Sequence, residues 1–240
     1  MRLQRFIALS SELSRRAAEA AIARGEVTVN GAVVARQGVS IDPARDRVEL
    51  NGRTMAPRQG PTYIALFKPH NTMVTKSDPE GRPTIWDILP QGHRARLNSV
   101  GRLDYDSEGL IILTDDGDFI NLLTHPRHEI WKTYSARVKG EPSPEALDSL
   151  RLGVRLDDGM TLPARVSRAD KGGENALIEI SIREGRNRQV RRMFDAIGCP
   201  VIRLRRTAIG PVKIGRLAPG RWRELTDGEI DGLTGAARRK

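Results

Sequence analysis

The chain has 240 residues, 38% of them hydrophobic, enough for one large domain or two smaller ones with a real core. Its 40 Lys and Arg against 30 Asp and Glu give a net charge of +10, which points to a polyanionic partner, nucleic acid before membrane. One cysteine, Cys199, excludes an intramolecular disulfide and a Cys-rich zinc site, and 4% aromatics disfavour a surface built on many stacking rings.

Leu3, Phe6 and Ile7 lie at helical spacing. Ser14 then caps a second predicted helix, RRAAEAAIARG, with Ala17, Ala21 and Ile22 on its apolar face and Gly25 placed to end it. EVTVNGAVVA alternates around Asn30-Gly31, the signature of a hairpin with a type I′ turn, and DRVELNG is a further short strand. Residues 1–53 therefore make a small unit of their own. Residues 54–62, with two prolines, a glycine and no periodicity, are a predicted linker.

Beyond it, YIALFKP is a predicted strand, TIWDILP a short helix and GLIILT a buried strand. GDFINLLTHP is a helix stopped before Pro126. KTYSARVKG alternates as a strand, SPEALDSLRLG has Pro near the start and Gly at the end of a helix, and ALIEISIREG is another strand. RQVRRMFDAIG is amphipathic, with Val190, Met193, Phe194 and Ile197 on one face. VIRLRRTAIGPV is a strand with interleaved arginines, and 232–240 is a predicted frayed tail. Strands and helices mix without a regular βαβ rhythm, so the expected class is α+β on a mixed, mostly antiparallel sheet flanked by helices.

Charge concentrates in three places. Arg15 and Arg16 occupy the first turn of the second helix, where cations oppose the helix dipole; a phosphate-gripping surface explains them as well as simple solvation does. Arg183, Arg186, Arg188, Arg191 and Arg192 crowd the start of the amphipathic helix, and one of Arg191 and Arg192 is expected at the border of the core, where it needs a carboxylate or phosphate partner. Arg102, Asp104, Asp106 and Glu108 precede the buried GLIILT strand. Asp115, Asp116 and Asp118 suit a turn and a helix start. From the residues alone, Asp104 and Asp106 are equal candidates for a catalytic acid. No Walker loop, GxGxxG or HExxH motif is present, and the four scattered histidines make no metal site, so no metal or cofactor is expected. No segment is long enough to span a membrane, and Glu12 argues against a transit peptide; the cytoplasm is the expected location.

RLQRFIALSSELSRRAAEAAIARGEVTVNG resembles an S4 RNA-binding domain, whose helix and hairpin contact structured RNA; the resemblance assigns that role to Arg15 and Arg16. The ordered set VGRLDYDSEGLIILTDDGDFINLLTHP, KTYSARVKG, EGRNRQVRRMF and LAPGRWRELTDGEI resembles the ribosomal branch of the pseudouridine synthases, the RsuA/RluB type, from about Tyr63 to Glu229, which implies a catalytic domain over residues 63–231. That resemblance implies that Asp104 is the catalytic aspartate, that Tyr134 packs against the target base and that Arg191 pairs with Asp104. It places Arg102 beside the flipped nucleotide, with Arg186 and Arg188 on the RNA; Asp106 and Glu108 become local loop residues. The Asn187-Arg188 pair leans the target towards 23S rather than 16S ribosomal RNA. The chain is expected to act as a monomer on ribosomal RNA, free or in an assembling subunit. A non-catalytic RNA-binding or assembly factor on the same fold is the chief alternative, and a glycoside hydrolase using Asp104 and Asp106 a second.

Overall fold

The computed structural model describes residues 1–11, 13–56, 60–94, 96–170 and 174–238. The chain divides into two units, residues 1–62 with 89–98, and residues 63–88 with 99–240.

In the first unit, helices α1 (Leu3–Ser10) and α2 (Arg15–Ala23) pack on a small antiparallel sheet. Its strands are β1 (Val27–Val29), β2 (Ala32–Val33), β3 (Val48–Leu50) and β4 (Arg53–Thr54), in the order β2-β1-β3-β4. Ser14 accepts a hydrogen bond from the Ala17 amide, as an N-cap should, and Gly25 follows the helix at φ +74°. Asn30 and Gly31 both have positive φ, which the I′ turn requires. Leu3, Phe6, Ile7, Ala18, Ala21, Ile22, Val27, Ile41 and Val48 form the core. Ala18, rather than the expected Ala17, points inward. The predicted linker is trimmed by β4 at its start, and its residues 57–59 lie outside the described residues.

The second unit is built on one long sheet. Its main path runs β11 (Arg165–Arg168), β12 (Leu177–Ile182), β8 (Lys132–Val138), β13 (Val201–Ile209), β7 (Ser107–Thr114), β5 (Tyr63–Lys68), β15 (Trp222–Glu224). Along this path every pairing is antiparallel except β7 with β13. Helices α5 (Pro144–Leu152) and α6 (Gln189–Ala196) contribute Leu150, Val190, Met193 and Phe194 to a core with Ala136, Ile180 and Leu204. Helices α4 (Gly117–Thr124) and α7 (Asp227–Arg238) contribute Phe119, Leu123, Leu233 and Ala237 to a second core with Ala65, Leu110 and Ile112. Asp116 caps α4 through the Asp118 and Phe119 amides, and Ser143 caps α5.

Two expectations fail. TIWDILP is a series of turns: Thr84 donates from its amide and hydroxyl to the Asp87 carboxylate, and Ile85 donates to the Met73 carbonyl, so side chain and neighbouring loop take the hydrogen bonds a helix would need. The supposed tail is helical through Arg238. A Cβ at Gly232 would sit 2.9 Å from Pro211, so the small residue that suggests fraying is what lets α7 pack closely. Residues 239–240 lie outside the described residues.

Candidate active site

A cleft of about 810 Å³ opens in the second unit, large enough for a nucleotide. Its walls come from the loop before β7, from the end of α4, from β8 and β13, and from the loop leading into α6.

The floor follows from strand pleating. Side chains two apart share a face, so Lys132, Tyr134 and Ala136 of β8 look the same way. Arg206 lies opposite Tyr134, Leu204 opposite Ala136, and Leu204 also opposite Ser107 of β7. β7 can run this close to β13 because residue 109 is glycine: a Cβ there would fall 2.3 Å from the Arg206 carbonyl oxygen, at φ +110°.

The loop 104–106 and the start of β7 are held by two cations. Underneath, the wholly buried Lys68 ends β5 and donates from Nζ to the carbonyls of Pro69 (3.0 Å), Tyr105 (3.2 Å) and Ser107 (2.5 Å). Three ammonium donors meet three acceptors. Burial pulls its pKa down to about 8, against the attraction of Asp106, Asp104 and Glu108. From above, Arg191 of α6 donates through Nη2 to the Asp106 carbonyl at 2.9 Å and meets its carboxylate at 3.2 Å, while Nη1 reaches the Val201 carbonyl at 3.2 Å.

The expected ion pair between Arg191 and Asp104 is therefore not formed; Arg191 holds Asp106. The cation beside Asp104 is Arg188, 3.9 Å from its Oδ2 and 3.3 Å from the Asp106 carboxylate. Burial raises the Asp106 pKa, but Arg188 and Arg191 outweigh it and hold the carboxyl below its ordinary range. Arg188 adopts φ +46°, a left-handed conformation that costs a bulky residue about 1 kcal/mol or more. Asp104 itself keeps about a third of its side chain exposed in the cleft, while Tyr134 is 9% exposed.

Glu108 is likewise not a loose loop residue. It belongs to β7, is 2% exposed, and accepts from Arg203 and Arg205 of the neighbouring strand at 2.9 and 2.6 Å. Burial raises its pKa and the two arginines more than reverse that. Arg102 is exposed at the cleft. Arg186 departs from expectation: it is committed to Glu184, to Asp158 and to the Gly159 and Met160 carbonyls of a short hairpin, β9 (Arg155–Leu156) with β10 (Gly159–Met160). Arg15 and Arg16 are exposed at the start of α2 in the first unit. Lys68, Lys132 and Arg206 were not anticipated from the sequence; the signal available was a lysine closing the apolar run YIALF and a third arginine in RLRR.

Among the described residues no cluster of three His, Cys, Asp or Glu could hold a metal ion, and no helix is long and apolar enough to cross a membrane.

The family model for RNA pseudouridylate synthase matches residues 62–196, and that for the S4 domain matches residues 1–44. Ribosomal large subunit pseudouridine synthase B of Bacillus subtilis is 44% identical, covering 98% of this chain and 96% of that protein. The protein of the same name from Pseudomonas aeruginosa is 39% identical over 97% of this chain and 61% of its own length. Among solved structures, a pseudouridylate synthase superposes with a TM-score of 0.69 at 32% identity, over 97% of this chain and 99% of that one. An α+β catalytic unit behind an S4 domain, with this extent of similarity, places the chain in the RNA pseudouridine synthase family of isomerases.

Proposed function

We propose that the protein converts a specific uridine of ribosomal RNA, in the large subunit's 23S RNA, to pseudouridine, with Asp104 as the reacting carboxylate. The observation that carries this reading is the placement of Asp104: a partly exposed acid in the nucleotide-sized cleft that holds Tyr134, with Arg188 beside it and a loop fixed by Lys68 and Arg191. The names of the relatives from Bacillus subtilis and Pseudomonas aeruginosa support the choice of subunit.

In this reading the target uridine is flipped out of its stack, at a cost of about a few kcal/mol that phosphate contacts offset. The Tyr134 ring gives the base a flat surface. The Asp104 carboxylate either bonds to C1′ as nucleophile or takes the proton from C2′. The C1′–N1 bond breaks with its electron pair leaving on the base, and the base turns. As C5 bonds to C1′, the aspartyl–C1′ bond breaks in the first route, or the proton returns to C2′ in the second, so Asp104 is released as the carboxylate; the C5 proton departs and N1 gains one. Atoms and charge balance with no net oxidation. Arg15 and Arg16, exposed on the S4 unit, supply phosphate contacts, as do Arg102 and Arg188 at the cleft. All these cleft groups come from one chain, so a monomer in the cytoplasm suffices.

The test is carbodiimide-dependent reverse-transcription mapping of unmodified 16S and 23S transcripts, and of partly assembled subunits, after incubation with wild type and with Asp104→Asn. A stop at one 23S uridine with wild type alone is expected. Equal stops with both proteins would move the reaction to another residue, and silence on every RNA with binding intact would favour a non-catalytic assembly role.

A further inference from the structure

Lys132 and Arg206 stand together on the cleft floor on either side of Tyr134, and neither is neutralised. Lys132 makes no hydrogen bond or ion pair among the described residues, although it lines the cleft. Burial, and then the charge of Arg206, push its pKa down to about 8. Arg206 is 4% exposed; its Nε donates to the Leu110 carbonyl at 2.7 Å, but its buried Nη2 has no partner. Leaving a buried guanidinium donor unpaired costs on the order of 1–3 kcal/mol, and setting a second cation beside it costs more. Such an arrangement is stable when an anionic or strongly accepting group completes it.

We infer that Lys132 and Arg206 form an electrophilic end of the cleft that receives the carbonyl oxygens of the pyrimidine ring and carries the negative charge of the base while it is detached from ribose. The inference rests on the uridine reading above and holds for either intermediate, because in both the electron pair of the C1′–N1 bond leaves with the base. The charge then spreads over the ring to O2 and O4. A ring stacked on Tyr134 brings an edge towards both cations, since Lys132 is two residues along the same strand face and Arg206 is the cross-strand neighbour. When C5 bonds to C1′ the base becomes neutral again, so the pair acts on the transient anion and not on substrate or product.

Single-turnover reactions of wild type, Lys132→Met and Lys132→Arg test this, on 23S transcripts carrying either uridine or 5-fluorouridine, with loss of the starting nucleoside read by digestion and mass spectrometry. Fluorine stabilises the detached anion by itself, so it lessens the need for a cation. Lys132→Met is expected to slow the uridine reaction about 10²-fold and the 5-fluorouridine reaction several-fold less, with Lys132→Arg recovering most of the uridine rate. Equal losses on both substrates would show a structural role and overturn the inference, as would a Lys132→Met rate equal to wild type. Circular dichroism melting of each variant separates misfolding from chemistry. A wild type that forms no pseudouridine would instead overturn the uridine reading, and this inference with it.

Discussion

Arg191 holds Asp106 by both its carbonyl, at 2.9 Å, and its carboxylate, at 3.2 Å, so helix α6 fixes the backbone two residues from Asp104. Asp106 is thus a positioning residue. Asp106→Asn keeps the carbonyl contact but weakens the charge pair with Arg191 and Arg188. We expect it to lower kcat about tenfold with RNA affinity near wild type, against a loss of at least about 10³-fold for Asp104→Asn. Single-turnover rates and filter binding on the same transcript check both.

Arg188 separates strain from function. Glycine accepts φ +46° without cost, so Arg188→Gly loses an exposed ion pair worth about 0–1 kcal/mol and relieves a comparable backbone strain. Its melting temperature should stay within about 3 °C of wild type, while activity falls at least about tenfold as Asp104 loses its cation. A large loss of stability with activity unchanged would refute the assignment.

Glu108 predicts an acid dependence. Its folded pKa lies below the ordinary 4.5, so the folded state binds fewer protons than the unfolded chain as pH falls through that range. The stabilisation is complete above about pH 5 and is lost as pH drops through the folded value. Glu108→Gln should cost about 1–3 kcal/mol at pH 7, and urea titrations at pH 7 and pH 3 should show the gap between variant and wild type closing at the lower pH.

At Gly109 the two central strands leave no room for a side chain. Gly109→Ala must displace the Arg206 carbonyl, since the added carbon would lie 2.3 Å away. A cost above about 3 kcal/mol is expected, visible as a large fall in melting temperature or in insoluble expression, while Gly117→Ala, with open space around it, should be near neutral.

On the S4 unit, Arg15→Ala with Arg16→Ala should weaken RNA binding and reduce the slope of log affinity against log salt by about 1 for each arginine. An unchanged slope would remove both from the RNA surface.

Much of this architecture was legible in the sequence because it rests on local rules. Ser14 caps a helix, Asp116 stands at the start of another, Asn30-Gly31 turns a hairpin, and the amphipathic face of α6 buries Val190, Met193 and Phe194. The requirement that an arginine at the border of α6 find a carboxylate or phosphate was also readable, and Arg191 finds a carboxylate. Which carboxylate was not. Asp104 and Asp106 sit in a loop, where the alternation of a strand does not decide which way a side chain turns, and the loop is shaped by Lys68, distant in sequence. The commitment of Arg186 to the β9–β10 hairpin was hidden for a similar reason, since strands of two residues carry no periodicity. In α7 the three glycines Gly228, Gly232 and Gly235 mask a helix that only tertiary packing makes favourable.

The parallel pairing of β7 with β13 has a consequence for how the enzyme is made. Its partners lie far apart along the chain, Ser107 with Leu204 and Gly109 with Arg206, and the loop carrying Asp104 opens directly onto this seam. During synthesis the seam cannot close until β13 has left the ribosome, by which time the S4 unit at the N-terminus has long been complete. Closing so large a loop is slow compared with forming local helices and hairpins. The S4 unit can therefore form before the cleft does, and catalytic competence has to wait for β13, about a hundred residues after the Asp104 loop is made.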